Sequence, residues 1–246
     1  MLRLSLKEKV GQKIIAGFDG LMPPEYILDW LAQGQIGGVI LFSRNIDSPD
    51  QLAELAQACY QAATYPTLIA IDQEGGAVSR LRRDFTESPG AMALGAGNNP
   101  QTAQNIASVL GAEMHTLGVN WNLAPVADLA LNLENTSIST RSPGSNPQHV
   151  AEMVTAQVKG FQAASVAACV KHFPGLGNTM VDTHDGAAES FDDLETLRNR
   201  DFVPFQAAID AGVASILVNH VKYPAIDPDN PAVFSSKVIE MLRHEM

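Results

Sequence analysis

The sequence predicts an α/β fold, a TIM-type (β/α)8 barrel truncated to about six βα units, with residues 1–246 forming a single domain. Three observations carry this. Short apolar runs recur at residues 14–18, 36–42, 67–71, 119–126, 167–170 and 214–218. They are continuous rather than alternating, as expected of strands buried on both faces of a parallel sheet. Helical patterns separate them, and that alternation implies right-handed crossovers between parallel strands. Finally, neither G-x-G-x-x-G nor G-x-x-x-x-G-K-[ST] is present, which disfavours an open nucleotide-binding sheet. The polar motifs instead follow several different strands, as when a site is assembled from the loops of a barrel. A closed barrel needs eight strands, so six runs predict an incomplete one whose first and last strands have unpaired edges.

The helices announce their starts in order. Ser5-Leu6-Lys7-Glu8 reads as a capping box, in which both side chains satisfy free N–H groups of the first turn. Ser48-Pro49 places proline at a first helical position, and Asn99-Pro100 and Asn146-Pro147 repeat the device with an Asn cap. Asp192-Asp193 opens another helix, and Ser235 or Ser236 opens the last.

Composition narrows the function. A hydrophobic fraction of 46% suits a globular protein, and no apolar stretch is long enough to span a membrane. Charges interrupt the first residues, which argues against a signal peptide and for a cytoplasmic location. The formal net charge of −11 argues against a nucleic-acid partner, with no Lys/Arg cluster to offset it. Cys59 and Cys169 are too few for a disulfide framework and read as buried free thiols. Trp30 and Trp121 read as packing residues. Oligomeric state is not legible.

Candidate chemistry sits at strand ends. The third run leads into Asp72-Gln73-Glu74-Gly75-Gly76, with Arg80 beyond. The glycines allow close backbone approach to a ligand, and an acid and a base buried together require partners. The competing reading is a capped turn. Arg141 lies in the polar loop after the fourth run, either bridging sugar hydroxyls or a carboxylate, or solvated at the surface. The fifth run delivers Lys171 and His172, followed by Phe173-Pro174-Gly175-Leu176-Gly177 and then Asp182-Thr183-His184. At spacing i, i+2 an extended segment points Asp182 and His184 the same way, and a carboxylate beside an imidazole makes an acid/base dyad. Two other readings compete. The loop is polar by chance, or His172, Asp182 and His184, with His220 and Asp72, ligate a metal. His220, ending the sixth run, is equally a structural residue or a ligand contact.

The run Lys171-His172-Phe173-Pro174-Gly175-x-Gly177 with Asp182-Thr183-His184 resembles the signature of family 3 glycoside hydrolases, in the β-N-acetylglucosaminidase branch. Segments 36–45, 71–76, 123–128 and 223–225 fall in the family's order, so the resemblance covers the chain. It implies a catalytic-barrel domain over residues 1–246, lacking the last two βα units. It implies His184 as proton donor with Asp182 as its partner, and Asp72, Arg80, Arg141, Lys171 and His172 as residues that hold a terminal N-acetylglucosamine. It also implies a retaining reaction without cofactor or metal, and a β-N-acetylglucosaminide or muropeptide-type sugar as substrate, in peptidoglycan recycling. The nucleophilic Asp is expected beyond Met246, leaving this chain by itself inactive. Two positions depart from the family pattern: Leu176 stands where His is frequent, and Pro143 replaces the usual Phe after Arg141-Ser142. The alternatives are a sugar-binding module without catalysis and a metal-dependent barrel hydrolase.

Overall fold

The computed structural model describes residues 4–132, 134–179 and 188–246. Each apolar run yields one strand: β1 Ile15–Ala16, β2 Gly38–Leu41, β3 Leu68–Ile71, β4 Trp121–Asn122, β5 Ala167–Phe173 and β6 Ser215–Val218. All are parallel and pair in the order of the chain, each with its predecessor. That order is the wall of a (β/α) barrel, with six strands among the described residues and β1 and β6 at its edges. The predicted burial holds at the centre: Val39, Leu41, Ile69, Ile71, Ala168 and Val170 are fully enclosed. The edge strand β6 is half-buried, and Leu217 is exposed.

The predicted helix starts are those observed. In α1, Leu6–Gly11, Ser5 and Glu8 form a reciprocal capping box. Ser48 caps α3, Pro49–Ala62. Asn99 caps α5, Pro100–Thr116, and Asn146 caps α6, Pro147–Ala163. Asp193 caps α7, Leu194–Thr196, which runs through a π turn at Leu197–Asp201 into α8, Phe202–Asp210. Ser235 caps α9, Ser236–His244. Two helices escaped sequence reading. Pro24 precedes α2, Glu25–Ala32, and Gly90 precedes α4, Ala91–Gly97; neither start has a side-chain cap.

The fourth run is longer than the strand it makes. Residues 119–126 yield only two ladder residues, because Pro125 has no N–H to offer and two asparagines replace backbone pairing with side-chain pairing. Asn120 accepts from the Ile69 N–H at 2.8 Å and donates to the Thr67 carbonyl at 2.9 Å. Asn122 makes the same two bonds to Gln73, both at 3.0 Å. Pairing resumes as one bridge between Val126 and Lys171.

Cys59 and Cys169 are buried free thiols, and burial pushes the Cys59 thiol up to about 12. Trp121 is half-buried and donates to Ser215. Trp30 packs edge-on against Tyr26 but remains exposed, so its packing role is only partial.

The tightest approach in the sheet is at Gly38, where an added Cβ would lie 2.0 Å from the Leu68 carbonyl oxygen. Gly38→Ala is therefore expected to push β2 from β3 and lower the unfolding free energy by about 3 kcal/mol, read from urea unfolding midpoints.

Candidate active site

The loops after β3, β4 and β5 converge on one network of charges. The apolar register of β3 ends at Ile71 and places Asp72 and Glu74 at the strand's C-terminal end. The β5/β6 ladder breaks register between Lys171 and Phe173, an irregularity of the kind that re-aims side chains beside sites. Lys171 and His172 both reach the same cluster.

Lys171 is 2% exposed. Its ammonium lies 2.6 Å from Asp72 Oδ1 and 2.7 Å from Glu74 Oε1. Arg141 grips the same glutamate with both ends of its fork, Nε donating to Oε2 and Nη2 to Oε1, each at 2.8 Å. Its Nη1 donates to the Ser137 carbonyl at 2.7 Å. Arg80 Nη2 stands 3.8 Å from Asp72 Oδ2, and its guanidinium lies 5.8 Å from the centre of the Phe42 ring. His172 Nδ1 is 2.6 Å from Asp128 Oδ2, and its Nε2 is 3.4 Å from Arg141 Nη2.

Burial by itself would raise the Glu74 carboxyl. The Arg141 hydrogen bond and the charges of Lys171 and Arg141 outweigh it and hold Glu74 at about 2. Burial likewise opposes the Arg141 charge, and Glu74 reverses that by hydrogen bond and charge, raising it above the ordinary arginine value. Three cations, Arg80, Lys171 and Arg141, face three carboxylates, Asp72, Glu74 and Asp128.

A second layer fixes these groups. Gln73 Oε1 accepts from the Arg80 and Leu81 N–H groups, at 2.8 and 3.0 Å, and holds the loop that carries Arg80. Gly75 and Gly76 take left-handed conformations, φ 89° and 60°, that side chains rarely adopt. Asn135 donates to the Leu176 carbonyl and to Thr179. Asn219 donates to the His172 carbonyl at 3.0 Å, and the buried Tyr223 hydroxyl donates to the Gly175 carbonyl. Asp201 packs against Gly175. Arg200 bridges it to Asp192, which accepts from Asn178. Burial pushes the Asp201 carboxyl up to about 7, against the pull of Arg200 and with the added charges of Asp192 and Asp128.

The structure thus brings together Asp72, Arg80, Arg141, Lys171 and His172. Arg141 is not the solvated surface residue that its loop also allowed, since its side chain is 18% exposed. Asp182 and His184 lie outside the described residues. His220 is exposed and takes no part in the network. The sequence offers Glu74 only as a buried acid in need of partners and gives Asp128 no site role, although each is a carboxylate just past an apolar run. Sequence reading also passes over a concentration of cations: Arg80, Arg82 and Arg83 line one cavity of about 300 Å³ with Asp47. Of the two departures noted in the sequence, Leu176 is buried, and its N–H donates to Asp128 Oδ1 at 2.7 Å. The Pro143 carbonyl instead packs tightly against Gly95.

Residues 5–246 match the family described as "Glycosyl hydrolase family 3 N terminal domain". A beta-hexosaminidase of Nitrosomonas eutropha is 41% identical over 223 residues, covering 88% of this chain and 64% of that protein. A family 3 beta-N-acetylglucosaminidase from a Paenibacillus strain superposes with a TM-score of 0.96 at 42% identity, over 99% of this chain and 47% of that one. NagZ from Neisseria gonorrhoeae, in complex with N-trifluoroacetyl-D-glucosamine, superposes at 0.89 with 32% identity, over 94% and 70%. The chain thus spans less than two thirds of the Nitrosomonas relative and about half of the Paenibacillus structure.

Two expectations follow from the charges. Glu74→Gln leaves Lys171 and Arg141 buried without their shared counter-charge. It should cost about 3–5 kcal/mol in urea unfolding, the range for breaking a buried pair. Asp201 titrates near 7 when folded against an ordinary value of 3.8. Between those values the folded state binds the extra proton, so stability should fall as pH rises from about 4 to about 7 and then level. Asp201→Asn should flatten that slope in urea midpoints measured across the window.

Proposed function

This chain belongs to glycosyl hydrolase family 3, matching its N-terminal domain, and from that premise we propose that it forms the sugar-binding and acid/base part of a retaining β-N-acetylglucosaminidase. The observation that carries the reading is the charge network at the ends of β3, β4 and β5. It is nearly neutral and internally paired, yet Asp72, Arg80, Arg141 and His172 remain part-exposed. Carboxylate and guanidinium groups held in fixed orientation suit neighbouring sugar hydroxyls, accepting from and donating to them in pairs. Arg80 Nε supports the same reading, as a buried donor without a partner among the described residues. The Neisseria relative was crystallised with an acylated glucosamine.

The division of labour follows from charge. Glu74, held near 2 between two cations, has no proton to donate and no free oxygen aimed at a sugar. Asp72 is engaged by Lys171, and Asp128 is enclosed. These carboxylates position and neutralise. We assign protonation of the departing oxygen to His184, with Asp182 holding its imidazole. The attack on the anomeric carbon goes to an Asp outside these 246 residues, giving a glycosyl-enzyme that water then opens. The substrate is a β-linked terminal N-acetylglucosamine, including muropeptide-type sugars, in cytoplasmic peptidoglycan recycling. The acidic composition and the family resemblance support that location. Among the described residues, no helix is long and apolar enough to cross a membrane.

The test is hydrolysis of a chromogenic β-N-acetylglucosaminide by the protein that supplies the attacking Asp, with and without phosphate and with a chelator. Faster cleavage of the plain glucoside would move the reading to a β-glucosidase. Loss of activity with chelator, restored by zinc, would move it to a metal-dependent hydrolase. Sugar binding with no turnover would make it a binding module. His184→Ala should lower kcat by about 10²–10⁴-fold on a poor leaving group and far less on a good one, since the latter needs little protonation. Asp182→Ala should show the same trend more weakly.

A further inference from the structure

We infer that Asp128 is a positioning residue that fixes His172 in the Nδ1–H tautomer, so that the site offers a sugar hydroxyl a bare Nε2 acceptor. The inference rests on the sugar-binding reading above and names a contact on which its specificity turns.

The Asp128 side chain is fully enclosed. Its oxygens are committed to three nitrogens: Oδ1 accepts from the Leu176 N–H at 2.7 Å, and Oδ2 accepts from the His172 N–H at 3.1 Å and meets His172 Nδ1 at 2.6 Å. An ionised carboxylate only accepts, so the hydrogen in the third contact belongs to Nδ1. The other ring nitrogen faces the opposite kind of partner. Arg141 Nη2 lies 3.4 Å from Nε2, and a guanidinium only donates. A hydrogen on Nε2 would set donor against donor. With an acceptor on one side and a donor on the other, the imidazole has one compatible arrangement.

The Nε2–Arg141 distance exceeds the usual 2.7–3.2 Å range, and Arg141 Nη2 already serves Glu74. Among the described residues, Nε2 therefore keeps acceptor capacity that is not filled well. Its chemical complement is a hydroxyl that donates to Nε2 while accepting from Arg141. A hydrogen or an ether at that position of the sugar cannot do so. A buried acceptor left unpaired rejects such an analogue more strongly than a lost contact alone would.

The tautomer is read directly by nitrogen-15 NMR of histidine-labelled protein at about pH 8, without ligand, with His172 assigned from the spectrum of His172→Gln. A pyrrole-type Nδ1 and a pyridine-type Nε2 are expected. The reverse pattern, or fast averaging of the two, overturns the inference even if sugar binds and is cleaved. The second measurement is a panel of monodeoxy N-acetylglucosamines. One analogue should bind at least 10-fold more weakly than the parent, and that penalty should vanish in His172→Ala. A penalty unchanged in His172→Ala overturns the proposed contact. If none of these sugars binds while the tautomer is as expected, it is the sugar-binding reading that fails, not the role of Asp128. Asp128→Ala should give the mixed or Nε2–H tautomer and, in the protein that supplies the attacking Asp, a raised KM with a smaller change in kcat. Asp128→Glu should recover part of the Nδ1–H signal. Should Asp128→Ala fail to fold, the wild-type tautomer and the deoxy-sugar comparison decide the matter.

Discussion

Everything at the mouth of this sheet depends on one buried ammonium. Lys171 is almost fully enclosed, and a charge taken out of water costs several kcal/mol unless matched at close range. Two carboxylates from the end of β3, Asp72 and Glu74, meet it within hydrogen-bonding distance. Two carboxylates on one ammonium leave a negative excess, and the bidentate Arg141 absorbs it. Arg141 is thereby drawn from a loop after β4 to within reach of His172. The ion pairs span from β3 to β5 across the end of β4, so they brace three neighbouring strands at the face where a ligand would sit.

The same dependence explains how much was legible in the sequence. Strands and most helix starts are local matters. Residues 36–42 spell a buried strand, and Asn146-Pro147 spells a cap, without reference to the rest of the chain. The truncation of β4 was not legible, because it turns on Asn120 and Asn122 substituting side-chain amides for backbone partners 49 to 53 residues away. The helices after Pro24 and Gly90 lack the capping side chain by which the others declare themselves.

The site divides along similar lines. Asp72, Lys171 and His172 are conspicuous as polar residues ending apolar runs, and the structure gathers them. Glu74 and Asp128 stand in equivalent positions, but their importance lies in partners 44 to 97 residues away in the chain. Only the fold reveals that Glu74 serves two cations, or that Asp128 holds a strand end and a ring at once. A carboxylate placed at a strand end is a candidate in sequence; its role is set by the charges folded against it.

The sequential order of the strands has a consequence for how the molecule is made. Each strand pairs with the one synthesised just before it, so the sheet can grow as the chain leaves the ribosome. The charge cluster cannot. Asp72 is separated from Lys171 by 99 residues, an interval of about 5–20 s at ordinary rates of elongation. Through that interval Arg80 and then Arg141 are already made, but Asp72 and Glu74 still lack the ammonium that they share. Their burial marks the arrival of β5, so the ligand-facing surface takes shape only after most of the wall behind it exists.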